Sequence, residues 1–78
     1  MNLADKNFLR DVGHRIREQR LQLRLTQIDL AEKCGLHRTF IGSVERGERN
    51  VPILNLRLIA GCLRVSMAEL LDAGTKAQ

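Results

Sequence analysis

Apolar residues recur along this chain at helical spacing. Phe8, Val12 and Ile16 stand four apart, and Leu9 and Leu23 widen the stripe, which predicts a first helix from about Asp5 to Leu23. Thr26 is a good N-cap, and Asp29 three residues on makes a capping box with Asp in place of Glu. The second helix therefore starts after Thr26 and ends at Cys34, with Gly35 supplying the left-handed residue beyond it. A third helix runs from His37 or Arg38 to Arg46 and stops at Gly47. Glu48 to Pro52 reads as a loop. A fourth helix, about Leu54 to Leu63, carries Leu56, Ile59, Ala60 and Leu63 on one face. Ser66 and Glu69 form a second capping box that opens a short fifth helix, Met67 to Asp72, which Gly74 closes. The pattern is all-α, one domain over 1–78 with its core in about 5–72 and a frayed tail over 73–78.

Composition narrows the picture further. A chain of 78 residues is enough for one small domain. Domains of this size bury only about 60% of their unfolded surface, and dimerisation is a common remedy for the resulting marginal stability. The two Phe, with no Trp or Tyr, exclude a base-stacking sheet of the kind that binds single strands. The N-terminus has no signal-peptide core, and no stretch approaches the apolar run that a membrane span needs. Cys34 and Cys62 sit at apolar positions with no metal or redox spacing, and read as reduced core residues of a cytoplasmic protein. His14 and His37 lack partners at ligand spacing, so neither a metal nor another cofactor is expected. No nucleophile–base pair, phosphate loop or small-molecule site is evident, which argues against an enzyme.

The net charge is +4, and of the thirteen basic residues ten are Arg, whose planar fork suits phosphate and guanine edges. Charge alone favours nucleic acid only slightly over a solvated surface. Spacing is more specific. Two helices joined by a short turn containing Gly form a helix-turn-helix over residues 27–46. With Gln27 as the first of twenty positions, Leu30 and Ala31 are fourth and fifth, Gly35 ninth, Leu36 tenth, Ile41 fifteenth and Val44 eighteenth. Ala31 must be small where the third helix crosses, Gly35 must take a positive φ, and the four larger residues fill the wedge between the helices. The outer face of the third helix is left with His37, Arg38, Thr39, Gly42, Ser43 and Arg46.

At these residues the sequence resembles the lambda-repressor-like, or XRE-type, helix-turn-helix family. The resemblance runs through "IREQRLQLRLTQIDLAEKCGLHRTFIGSVERGERN" and on through "LNLRLIAGCLRVSMAELL", covering about residues 9 to 71. Within the family, "HRTFIGSVERGERN" looks most like controller proteins of restriction–modification systems. The resemblance implies a compact five-helix domain whose second and third helices carry the motif. It also implies a transcription regulator that binds double-stranded DNA as a homodimer on a near-palindromic operator. An antitoxin, or a phage or plasmid repressor whose main partner is another protein, is the alternative. Only Gly74 to Gln78 is spare for gripping a toxin, which argues against the antitoxin.

The family's roles carry over position by position. Gln27 matches the residue that bonds a phosphate and braces the recognition helix, and Arg38 and Thr39 match the base-reading positions. Ser43 is expected to face the groove one turn later, and Arg49 and Asn50 match DNA-touching positions in the following loop. Arg46 meets phosphate or is a solvated cation at a helix end; His37 is a base reader or an N-cap; Phe40 touches a thymine methyl or packs in the core. Arg20 and Glu45 match a buried salt bridge between the first and third helices. Leu63, Val65, Met67, Leu70 and Leu71 are the expected dimer surface, and Glu32, Glu45 and Glu48 are candidates for contact with RNA polymerase. Two departures stand out. Arg24 replaces the family's usual Gly, so it must either strain the turn or extend the helix. Val51 separates Asn50 from Pro52, which leaves the start of the fourth helix open.

Overall fold

Five helices and their connections fill the computed structural model, which describes residues 1–72. They are α1 (Leu3–Gln22), α2 (Gln27–Cys34), α3 (Arg38–Glu45), α4 (Ile53–Leu63) and α5 (Met67–Leu71). No strand occurs among the described residues. The expected boundaries shift by one or two residues, each for a local reason. Asn2 caps α1 by accepting from the Asp5 amide at 2.8 Å, so the helix begins before Asp5. Pro52 stands at the N-cap of α4, where its missing N–H removes a donor that would have no partner, and Ile53 rather than Leu54 opens the helix. Both capping boxes form as read, with Thr26 and Asp29 at 2.9 and 3.0 Å and Ser66 and Glu69 at 2.9 and 3.1 Å. Gly74, assigned as the stop of α5, lies outside the described residues.

Each of the first four helices ends in the same turn. One or two residues past the last helical position the backbone turns left-handed; the N–H of that residue reaches back three residues, and the next N–H reaches back five. Arg24 (φ 59°), Gly35 (φ 69°), Gly47 (φ 75°) and Arg64 (φ 62°) occupy this position. Arg24 therefore strains the turn instead of extending α1. Gly47 has a second constraint, because a Cβ there would lie 2.7 Å from the Arg10 Cα.

The core is contributed by all five helices. Val12 and Ile16 of α1 meet Leu30, Ala31 and Cys34 of α2, Ile41 and Val44 of α3, Leu56, Ile59, Ala60 and Leu63 of α4, and Leu70 of α5. Full burial of side chains such as Ile16, Leu30, Ile41 and Ile59 is worth about 1.5–3 kcal/mol each relative to exposure. Two donors of α1 close the far end of the molecule. Arg15 Nε donates to the Leu70 carbonyl at 2.6 Å and Gln19 Nε2 to the Leu63 carbonyl at 3.1 Å, satisfying acceptors that α5 and α4 leave without helical partners.

Three expectations about apolar residues are corrected. Phe8, assigned to the buried stripe of α1, is 49% exposed and borders a surface cleft with Met1, Asp5, Leu9 and Asn50. Leu63 and Leu70, assigned to a dimer surface, lie inside the chain's own core at 0% and 2% exposure, because they are the residues with which α4 and α5 pack inward. Val65 and Met67 are half-buried against the same core, and of that set only Leu71 is exposed. Cys34 is a buried core thiol, and burial, with the Cys62 thiol beside it, pushes it up to about 12.

Candidate nucleic-acid interface

The site is built on α3. This short helix is anchored at its C-terminal end and free at its N-terminal end. Glu45 supplies the anchor. Its carboxylate accepts from Arg20 Nε at 2.6 Å and from Arg20 Nη2 at 2.9 Å, a two-pronged pair with side chains 8% and 2% exposed. Arg20 Nη1 donates to the Leu25 carbonyl at 2.8 Å, so the same guanidinium also holds the end of the α1–α2 turn, just before the Thr26 cap. The carboxylate holds the Arg20 guanidinium above its ordinary range, outweighing the opposing effect of burial. Gln27 Nε2 adds a third donor to Glu45 at 3.0 Å and ties α2 to the same group. Charges this buried are tolerable because their hydrogen-bonding capacity is used.

Two glycines permit this arrangement. A Cβ at Gly13, in the middle of α1, would stand 2.3 Å from the Val44 carbonyl oxygen and 2.6 Å from that of Glu45, so α1 and the end of α3 touch backbone to backbone. Gly42, expected on the outer face, is buried. A Cβ there would meet Gln27 Oε1 at 3.3 Å and Arg46 Nη1 at 3.2 Å. Its bare surface is where Gln27 crosses onto α3.

The N-terminal end of α3 is capped by His37, whose Nδ1 accepts from the Thr39 amide at 3.1 Å. His37 thus takes the N-cap role, which occupies that ring nitrogen. Arg38 and Thr39 follow, both exposed, and neither side chain has a hydrogen-bond or ion-pair partner among the described residues. With Arg46 and Gly42 they form one wall of an open cleft of about 610 Å³. Leu21, Leu25, Thr26, Gln27 and Ile28 form the other, and Arg20 also lines it. Arg46 is exposed and paired with Glu48, Nε to Oε2 at 3.0 Å, which raises the arginine and lowers the carboxyl from their ordinary ranges.

Ser43, expected to face the groove, does not. It is 7% exposed, and its hydroxyl donates to the Phe40 carbonyl at 2.8 Å while accepting from Arg49 Nε at 3.2 Å. Arg49 also lies over the Phe40 ring, 5.7 Å from its centroid. Phe40 itself is half-buried against the core. Asn50 is exposed but borders the separate cleft at Phe8, so the structure does not bring it beside Arg38 and Thr39. Glu45, one of three candidates for polymerase contact, is buried and fully engaged; Glu32 and Glu48 remain exposed. Gly13 went unrecognised in the sequence although it carried a signal. A glycine in a helix interior costs about 1 kcal/mol relative to alanine, so its presence asks for a packing reason.

Two helices joined through a left-handed glycine, with the second braced from α1 and α2 at one end and exposed at the other, define a helix-turn-helix protein. The profile of the Helix-turn-helix family HTH_3 matches residues 16–70, and the chain belongs to that family. It is 47% identical over 60 residues to the control protein C.SmaI of Serratia marcescens, covering 77% of this chain and 71% of that protein. Among solved structures it is similar to the restriction–modification controller protein C.AhdI of Aeromonas hydrophila. The TM-score is 0.77 at 42% identity, over 80% of this chain and 94% of the other. It is also similar to the controller protein C.Esp1396I, solved as a tetramer with its natural 35 base-pair operator. There the TM-score is 0.71 at 38% identity, over 83% of this chain and 96% of the other. No group of three or more potential metal ligands occurs among the described residues, and no helix there is long and apolar enough to cross a membrane.

Proposed function

We propose that this chain is a sequence-specific, double-stranded-DNA-binding transcription regulator of the restriction–modification controller type, acting in the cytoplasm without enzymatic activity. The observation that carries this reading is the anchoring of α3. Arg20 and Gln27 fix Glu45 at one end, leaving Arg38 and Thr39 exposed at the other, on the helix that enters the major groove in helix-turn-helix proteins. Arg38 forks onto a guanine edge, Thr39 offers a methyl or hydroxyl to a neighbouring base, and Gln27 and Arg46 flank them at the phosphates. Arg49 and Asn50 act at the duplex margin, and His37 serves them only by capping the helix. The similarity to C.Esp1396I, a tetramer on its operator, supports self-association and operator binding.

The active species is a homodimer. With Leu63 and Leu70 in the core, the apolar residues left exposed on α4 and α5 are Ile53, Leu54, Leu58 and Leu71, and these replace the pair as the dimer surface. Leu54 and Leu58 stand one turn apart on one face of α4. Exposed Glu32 and Glu48 are the acidic groups available to RNA polymerase if the regulator activates. Selection from a pool of random duplexes, followed by sedimentation of the free and bound protein, tests the reading. A recovered near-palindromic sequence bound by a dimer is the expected result. A protein that stays monomeric and retains no duplex overturns it.

A further inference from the structure

We infer that Arg24 is an additional contact to the DNA phosphate backbone, one that this chain adds on the α1–α2 side of the cleft beside α3. The inference rests on the DNA-binding function proposed above. Arg24 holds a left-handed backbone (φ 59°) in the turn where Gly35 and Gly47 do the same work without a Cβ. Its side chain is exposed and makes no hydrogen bond or ion pair with any described residue, so nothing inside the fold offsets the strain.

Strain does not single Arg24 out, because Arg64 shares it (φ 62°). Location does. Arg24 stands in the chain between Leu21 and the run Leu25, Thr26, Gln27 and Ile28, which together line the wall of the cleft opposite Arg38 and Arg46. That wall offers Thr26 and Gln27 but no free cation, since the Arg20 guanidinium is committed to Glu45 and to the Leu25 carbonyl. A duplex lying along α3 brings phosphates to both sides, and Arg24 is the one unengaged guanidinium in the segment forming this side. Arg64, by contrast, lines a different cleft with Leu23, Lys33 and Cys62, which shares only Leu25 with the first.

The matched pair of arginines makes the test. Arg24→Gly and Arg64→Gly each remove one charge from a left-handed helix terminus, and each is expected to fold at least as stably as the wild type. A duplex recovered by selection with the wild-type protein is titrated against all three proteins over a range of salt. Arg24→Gly is expected to bind more weakly at low salt, with the slope of log K against log salt shallower by about one per bound subunit. Arg64→Gly is expected to run parallel to the wild type. If Arg24→Gly also runs parallel, or the two variants fall together, Arg24 is a helix-end cation only and the inference is wrong. If the wild type retains no duplex at all, the proposed function fails first.

Discussion

Arg20 and Glu45, one on α1 and one at the last turn of α3, meet through two hydrogen bonds of 2.6 and 2.9 Å in the interior of the chain. The pair does more than stabilise. It fixes the distance of α3 from α1, and with Gln27 it sets the orientation in which Arg38 and Thr39 are presented. Removing one partner leaves the other charge buried and unmatched, at a cost of about 3–5 kcal/mol. Arg20→Met alone and Glu45→Met alone are therefore expected to unfold at clearly lower denaturant. The double variant, with neither charge, is expected to recover most of the loss. Urea unfolding of the four proteins, analysed as a double-mutant cycle, measures the coupling. Additive effects would show that the pair is incidental.

Gly13 sets the other contact between these helices. Alanine is the better helix former by about 1 kcal/mol, so on propensity alone Gly13→Ala should stabilise. The structure reverses the sign. The new methyl would stand 2.3 Å from the Val44 carbonyl oxygen, and backbone cannot yield as a side-chain tip does. The expected outcome is a net loss of about 1–3 kcal/mol by chemical denaturation, with weakened DNA binding as α3 is pushed off α1. A variant more stable than the wild type would contradict the close approach.

How much of this was legible in the sequence depends on whether a residue acts through its neighbours in the chain or through distant ones. Both capping boxes and the Gly35 turn are local, so Thr26–Asp29, Ser66–Glu69 and the helix between Thr26 and Gly35 could be read directly. The inward face of α4 could be read too, since its residues repeat at helical spacing. What could not be read was which apolar positions the monomer itself covers. Leu63 and Leu70 look like surplus surface in a short chain until α1 is packed across them. Ser43 has the same lesson at the site. Its place on the helix wheel points outward, but the loop after α3 folds back and Arg49 covers it. Gly13 and Gly42 owe their identity to contacts with Glu45 and Gln27, which lie far along the chain.

The repeated helix-ending turn yields a stability prediction. A Cβ at Gly35 would meet nothing within 4 Å, so Gly35→Ala tests backbone conformation without a clash. The left-handed penalty predicts destabilisation by about 1 kcal/mol. Gly47→Ala adds a collision with Arg10 and is expected to cost more. Thermal melts of the two variants rank these effects; equal losses would mean that the Arg10 contact gives way freely.

The capping box of α2 gives a pH dependence with a definite sign. Hydrogen bonds from the Thr26 backbone and hydroxyl side of the box hold the Asp29 carboxyl below its ordinary value of 3.8. A carboxyl lowered in the folded state stabilises fully above its unfolded value, and that contribution disappears as pH falls through the lowered value. Asp29→Ala is therefore expected to melt below the wild type near neutral pH. The gap should narrow as the solution is taken well below 3.8. A gap that stays constant across that range would assign the loss to the backbone rather than to the carboxylate.

Arg38 and Gln27 line the same cleft but should fail in different ways. Arg38 is exposed at the free end of α3, where the proposed function sets it against base edges. Arg38→Ala is expected to lose about 1–3 kcal/mol of discrimination at one base pair of each half-site, while binding to unrelated duplexes declines far less. Gln27, proposed to meet a phosphate from α2, also bonds Glu45 at 3.0 Å. Gln27→Ala is accordingly expected to weaken binding to all sequences alike and to lower stability slightly, since Glu45 keeps both bonds to Arg20. Binding of each variant to the selected duplex and to a set of single-base-pair changes separates the two patterns. If Gln27→Ala altered the ranking of those duplexes and Arg38→Ala did not, the roles would be exchanged, and the reading edge of the protein would lie on α2 instead of α3.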